Sequence, residues 1–567
     1  MPENGACTCP KMANKVRQSA YDLPMNAAPE VNPNHDAIAS QASSQAYYQA
    51  LKAHDARFDG RFFVGVSSTR IYCRPVCRVK LPKFENCRFF DHAALAENAG
   101  YRPCMRCRPE LAPQSLPWSS HDASRTLALQ AARWLDEPLA WGEASPSITR
   151  LAAHLGVSDR HVRRLFEAQF GVSPLQYLQT RRLLTAKQLL TDTDMPTSHI
   201  AHASGFGSVR RFSDAFLTHY RLNPSTLRKI GKSAHSSAKT TSKSIDAWPC
   251  STVKLSYRPP YNVPWMLEFF NKRQLNATEN ITTKFIANQA TNTPATWTFS
   301  YHFNNKLYVG WLSVEFHTPQ PTLTLKVSDS LRPVLPQVIR QVRALLDLDA
   351  DPMAINGVLG DHFKNSFDGD EAIAGIRVPG CLNGFELAVR AILGQQVTVA
   401  AGRTFTQRVV NAFGNAIETP FPELTRLFPR PEALAAASGE ALGSLGIVKQ
   451  RQAAIVALAR AVACKELVLH PGVDIDATMT QLRALPGVGD WTAQYIAMRA
   501  LRWPDAFVAG DVALHKAMGL LNLTPKLSPA KAAATALEAS QTWRPWRSYA
   551  VMRAWTSLST STSKVAT

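Results

Sequence analysis

Four cysteines stand in two close pairs, Cys73 and Cys77 in IYCRPVCR and Cys104 and Cys107 in RPCMRCRPE, about 26 residues apart. Two tight pairs at that separation let two short loops close one tetrahedral, all-thiolate site, so the quartet is expected to bind Zn2+. Far downstream, LPGVGDWTAQYIAMRA (485–500) sets Pro486-Gly487-Val488-Gly489 between two helical patterns. Glycines at 487 and 489 let the backbone come close to a phosphate, and the first N–H groups of the following helix can hold it. A carboxylate, Asp511 in FVAGDVALHKA, lies 22 residues beyond Gly489. Each pattern also has a plain reading: a structural zinc ribbon, an ordinary interhelical turn, a helix N-cap.

A third group of residues is basic and helical. ITRLAAHLGVSDRHVRRLFEAQFG (148–171) reads as a helix, a turn at Gly156, Ser158 as N-cap, and a second helix. Val162, Leu165, Phe166 and Phe170 make an apolar stripe on that second helix, leaving Arg160, Arg163 and Arg164 off it to meet DNA. TSHIAHASGFGSVRRFSDAFLTHY (197–220) repeats the pattern, with Gly205 near the turn, Phe212 and Phe216 inward, and Arg210 and Arg211 outward. A lone basic helix face is ordinarily just solvated. Two copies joined by one long helix, LQYLQTRRLLTAKQLL, are a more specific sign of DNA binding.

The rest of the chain must position these groups. At 567 residues it is too long for a single core. A formal net charge of +20 favours a polyanionic partner and salt-dependent binding. No apolar run reaches the ~18 residues of a membrane span, and the first residues carry no apolar signal segment. A cytoplasmic location without membrane contact is therefore expected, where cysteines stay reduced. Cys87 is expected in a core, and Cys7 and Cys9 take no role.

Composition and periodicity divide the chain into a disordered tail (1–44), a cysteine-bearing unit (45–112), the helix-turn-helix pair (122–230) and a Lys/Ser/Thr-rich flexible linker (231–249). A small α+β unit (250–334) and an all-helical domain (335–560) follow. Strands are expected at 253–258, 307–317 and 322–328. The fold class is multidomain and mainly α: a small four-cysteine zinc α/β module, an all-α tandem helix-turn-helix domain, a small α+β sheet domain and an all-α helix-hairpin-helix domain.

Two resemblances add function. GRFFVGVSSTRIYCRPVCRVKLPKFENCRFF with AGYRPCMRCRPE resembles the N-terminal zinc domain of the Ada alkylation-response proteins, and the tandem helices resemble the AraC-type DNA-binding domain that follows it there. The resemblance implies that Cys73 accepts a methyl group from a DNA methylphosphotriester, once per molecule, because nothing in the site can reverse a thioether. Losing a negative charge beside the phosphate backbone should tighten DNA binding. Arg74, Arg78 and Lys80 are candidate phosphate neighbours. Ada's O6-methylguanine methyltransferase is not expected, because no PCHR motif occurs.

VPGCLNGFELAVRAILGQQVTVAAG (378–402), TWRPWRSYAVMRAW (542–555) and LSYRPPYNVPWMLEFF (255–270), with the hairpin and Asp511, resemble the AlkA alkyladenine glycosylases of the helix-hairpin-helix superfamily over about residues 250–556. This implies that Asp511 is the catalytic carboxylate and that Trp491, Tyr495 and Trp555 form the base pocket; their plain alternative is core packing. An N-alkylated purine is cationic and leaves readily, so the enzyme must flip the nucleotide, embrace the base with aromatic faces and stabilise charge on the sugar. Gln395 and Gln396 are candidates to fill the gap left by the flipped base; AlkA has a leucine at the place of Gln396. Val512 departs from an aromatic residue at its place. Superfamily members that also cut the strand carry a lysine where Trp491 stands, and no C-terminal four-cysteine cluster follows Cys464, so a monofunctional enzyme is expected.

The combined expectation is a DNA alkylation repair protein that hydrolyses the N-glycosidic bond of 3-methyladenine and related bases, with a methyl-accepting, DNA-binding regulatory half. Its partners would be damaged and promoter double-stranded DNA and RNA polymerase. The alternative is a transcription activator whose C-terminal half only grips DNA.

Overall fold

The computed structural model describes residues 41–563 except 114–122, 137–146, 236–247, 282–284, 287–288, 291–293, 304–305, 318–319, 361, 364–372 and 523–526. Most of the expected tail and linker therefore lie outside the described residues. Two edges are corrected. A helix over Gln41–Lys52 begins inside 1–44, and farther along it Tyr47 stacks on Phe62 with ring centroids 4.2 Å apart. The helix Pro224–His235 runs into 231–249.

In the cysteine-bearing unit a four-stranded sheet runs Cys87–Phe90, Phe63–Val66, Ile71–Cys73, Arg102–Pro103. The first three strands pair antiparallel and the last is parallel to its neighbour. One apolar cluster, with Phe62, Val64 and Phe89, lies beneath the cysteines, so the sulfurs rest on a packed base.

Both helix-turn-helix stretches form as expected. Gly156 and Gly205 take the left-handed backbone at the two turns, with φ +68° and +83°. Ser158 caps Asp159–Phe170 by accepting from the N–H of His161, and Ser208 caps Val209–Tyr220 by accepting from that of Arg211. The connecting helix Pro174–Asp192 starts with a capping box between Ser173 and Gln176.

That long helix is also a spine for its neighbours. Lys187 reaches Glu110 of the cysteine-bearing unit at 2.5 Å, with both side chains buried, and Arg108 pairs with Asp192. Thr180, Tyr72 and Tyr220 donate to the buried Glu97 at 2.9, 3.0 and 3.4 Å. Burial pushes that carboxyl up to about 7, against the pull of these donors. On the other side Gln188 donates to Lys254 O at 3.3 Å, and the second helix-turn-helix shares one apolar cluster with the C-terminal half. The halves thus meet directly as well as through the 231–249 segment.

The C-terminal half opens with a five-stranded antiparallel sheet in the order Cys250–Ser256, Thr322–Ser328, Lys306–His317, Ala295–Phe303, Glu279–Asn280. Ala295–Phe303 is a strand beyond the three expected ones. Helices from Leu335 to Ser563 then pack around the hairpin that joins Ile475–Ala484 to Asp490–Arg499. Among the described residues no helix is long and apolar enough to cross a membrane.

Candidate functional site

Asp511 is the N-cap of the helix Val512–Ala517, accepting from the N–H of Leu514 at 2.7 Å. It is also a held carboxylate. Oδ1 accepts from Trp555 Nε1 at 2.8 Å and Oδ2 from Trp491 Nε1 at 3.0 Å. The N-cap reading and the site reading therefore coincide in one residue. The cap fixes the backbone, and two indoles on the helices Asp490–Arg499 and Arg547–Ser563 fix the carboxylate plane.

Trp491 stacks on Tyr495 with centroids 5.3 Å apart and planes 8° apart, and Trp555 leans on Tyr495 at 6.3 Å and 40°. One helical turn separates Trp491 from Tyr495, which places both rings on one face. All three rings are partly buried against the core and line a cavity of about 600 Å³ that also contains Asp511. Tyr495 accepts from Arg499 Nη1 at 2.5 Å. Burial raises its hydroxyl pKa, but the charges of Arg499 and Arg273 outweigh burial and hold it below the usual tyrosine value.

The wall also holds residues beyond the expected ones. Trp265, Phe269 and Arg273 enter the cavity from the helix Val263–Asn271 and the turn after it. The signal was present in the sequence: Asn262 is an N-cap residue, followed by aromatics four positions apart. Val512 is no wall; it stands 69% exposed, and Ala513 lines the cavity there.

The structure separates the two glutamines. Gln395 donates from Nε2 to Gly487 O and to Thr492 Oγ1, both at 2.9 Å, so it braces the hairpin rather than reaching outward. Gln396 is exposed in a left-handed backbone, φ +52°. Of the two, Gln396 is the one whose side chain is exposed. If Gln396 is the filler of the flipped-base gap, Gln396→Ala should lower base release about tenfold without a change in melting temperature. Gln395→Ala is expected instead to lower stability by about 1 kcal/mol. Base release and thermal melting of both variants check this.

The two hairpin glycines also differ. Gly487 has φ +75°, and a Cβ there would meet Ala454 Cβ at 3.2 Å, so the turn requires glycine. Gly489 caps the next helix at φ −83° with open space around it, leaving the first N–H groups of that helix accessible.

The four candidate ligands of the cysteine centre converge. The Sγ atoms of Cys73, Cys77, Cys104 and Cys107 all lie within 4.8 Å of one another, and the first three residues are buried. Zn–S bonds of about 2.3 Å in a tetrahedron place sulfurs about 3.8 Å apart, so the donor set fits zinc. Arg74 is a correction. Its guanidinium is buried against Asp59, with Nε donating to Oδ1 at 2.8 Å, and cannot meet a phosphate. Arg78 and Lys80 are exposed. Cys87 is half-buried and donates to Lys83 O at 3.3 Å.

On the helix-turn-helix pair, Arg160, Arg163, Arg164, Arg210 and Arg211 are all exposed, while Val162, Phe166, Phe170, Phe212 and Phe216 are buried. Arg210 is 93% exposed and only 4.0 Å from Asp214.

Comparison with known proteins follows the same four parts. Residues 46–110 match the metal binding domain of Ada, 151–230 a helix-turn-helix domain, 252–383 the AlkA N-terminal domain and 389–543 the HhH-GPD superfamily of base excision DNA repair proteins. The chain is 36% identical over 516 residues, 90% of its own length and 96% of the relative's, to the "Probable bifunctional transcriptional activator/DNA repair enzyme AlkA" of Mycobacterium tuberculosis (strain CDC 1551 / Oshkosh). It is 32% identical to the DNA-3-methyladenine glycosylase 2 of Escherichia coli (strain K12), over 53% of this chain and 95% of that one. It is 31% identical to the bifunctional transcriptional activator/DNA repair enzyme Ada of the same organism, over 28% of this chain and 41% of that one. The chain belongs to the family of bifunctional transcriptional activator/DNA repair enzymes that join an Ada metal-binding domain and a helix-turn-helix domain to an AlkA-type HhH-GPD domain.

Proposed function

We propose that this protein excises 3-methyladenine and related N-alkylated bases from double-stranded DNA, and that its N-terminal half accepts methyl groups from DNA and regulates transcription. The observation that carries the excision reading is the carboxylate of Asp511, held by two indole N–H groups in the lining of an aromatic cavity. A pure DNA-gripping module needs neither. The flipped base stacks among Trp491, Tyr495 and Trp555. As the N-glycosidic bond breaks, the electron pair leaves with the base, which becomes neutral, and Asp511 stabilises the positive charge left on the sugar. Water then adds to give an abasic site. Gly487 and Gly489 bring the hairpin to the backbone, and Gln396 fills the duplex gap.

With Trp491 where a lysine nucleophile would stand, the enzyme is monofunctional. Strand breaks in a methylated duplex are expected only after alkali, and borohydride should trap no protein–DNA adduct. Breaks without alkali would overturn this reading.

In the N-terminal half, Cys73, Cys77, Cys104 and Cys107 hold the metal. Zinc bound there would keep the sulfurs deprotonated at neutral pH. The sulfur of Cys73 bonds to the methyl carbon of the triester, the C–O bond breaks, and the oxygen keeps the electron pair as a phosphodiester anion. Arg160, Arg163, Arg164, Arg210 and Arg211 meet promoter DNA, and a cytoplasmic protein of this kind would act with RNA polymerase. Neutralising Arg163 and Arg164 together should reduce the slope of log K against log salt by about 2, one for each phosphate that no longer meets a cation. An unchanged slope in a binding titration would remove these residues from the interface.

A further inference from the structure

Arg258 lies in the sheet domain of the C-terminal half, yet its guanidinium is 0% exposed and turned toward the cysteine-bearing unit. It donates from Nε to Asp59 O at 2.7 Å and from Nη2 to Pro113 O at 3.0 Å, both in or just after that unit. From Nη1 it donates to Asp349 O at 2.8 Å and Ala350 O at 3.2 Å, in the helical domain. One buried cation thus satisfies four main-chain carbonyls on both sides of the joint. Gly60 is shaped by it: with φ +74°, a Cβ there would lie 1.9 Å from Pro113 O and 3.1 Å from Arg258 Nη2. Arg61 adds a separate contact across the joint, to Asp351 at 3.1 Å.

From Asp59 the contacts continue to the sulfurs. The Asp59 carboxylate pairs with Arg74, and both are buried. Arg74 donates from Nη1 to Cys107 O at 3.0 Å and from its main-chain N–H to Cys107 Sγ at 3.3 Å, and it directly follows Cys73 in the chain. Outer partners of this kind orient metal ligands and tune them. We propose that Arg258 is a positioning residue of the cysteine centre, acting through Asp59 and Arg74, so that the glycosylase half completes the methyl-acceptor site. The inference rests on the reading of the quartet as a zinc-held methyl acceptor.

The test uses the full-length protein and follows zinc transfer to a chromophoric chelator. Arg258→Met and Asp59→Asn are expected to release zinc about tenfold faster than the wild type, the scale on which outer partners affect metal affinity. Arg61→Ala breaks a separate contact of the joint without touching Asp59 and should release zinc at the wild-type rate. Release of 3-methyladenine gauges folding and should stay within about twofold of wild type in all three, since none of these residues lines the base cavity. If Arg258→Met loses base release as well, Arg258→Gln, which keeps a polar side chain but not the four-carbonyl fork, takes its place beside Asp59→Asn and Arg61→Ala. A wild-type zinc rate in the Arg258 variant, or in Asp59→Asn, overturns the proposal. So does an Arg61→Ala rate as fast as theirs, which would mean general loosening of the joint. Zinc rates in the expected order, with no methyl uptake by the wild type, would sink the methyl-acceptor reading and leave the positioning role standing.

Discussion

Exchange of Asp511 for asparagine is expected to lower base release on the order of a thousandfold, about 4 kcal/mol of lost transition-state stabilisation, while duplex affinity stays within about threefold. Asparagine keeps the shape and can keep the helix cap to Leu514, so the fold should hold. It lacks the negative charge that, on the proposed mechanism, stabilises the cationic sugar left as the base departs. It also turns one acceptor into an NH2 group, which must face one of the two indole donors. Trp491→Phe and Trp555→Phe probe the same arrangement from the other side. Each keeps an aromatic face and removes one N–H, so each should cost about tenfold, less than the asparagine variant. Single-turnover kinetics separate these effects from binding. A full-speed Asp511→Asn enzyme would remove the carboxylate from the chemistry.

Exchange of Cys73 for serine should abolish methyl uptake entirely and weaken zinc binding about tenfold to a hundredfold. Cys73 ends a strand of the small sheet, and three of the four sulfurs sit buried over one apolar cluster. A lost ligand therefore disturbs local packing as well as chemistry. Base release should survive, because the aromatic cavity draws no residue from this unit. Metal analysis, intact-protein mass and base release on the same preparation check the three statements together. Methyl uptake persisting in Cys73→Ser would move the acceptor to another sulfur.

Local patterns were readable in the sequence. Cysteine spacing, serine caps, turn glycines and apolar stripes each express a short-range rule, and the helix-turn-helix pair formed with the turns and buried faces its residues imply. The strand Ala295–Phe303 was equally legible and is absent from the expected strands: Ala295, Trp297, Phe299, Tyr301 and Phe303 alternate with Thr296, Thr298, Ser300 and His302, the period of a strand. What spacing could not provide was the choice between equivalent neighbours. Gln395 and Gln396 look alike until the hairpin captures one amide. Arg74 reads as one more basic residue beside a cysteine until Asp59 buries it. Arg258, in a segment similar to glycosylases, gave no hint of its four carbonyl partners, two of them across the joint. These are long-range contacts, fixed by the folded surfaces rather than by local sequence.

That one chain carries two separate chemistries for alkylated DNA is tested most directly by a single incubation of the intact protein with a duplex treated with a methylating agent. The small-molecule fraction is then analysed for free methylated purines, and the digested protein for methylated cysteine. Free 3-methyladenine from an uncut strand, together with one methyl group on Cys73, is the predicted result. A protein that binds the duplex yet releases no base and gains no methyl group would contradict it.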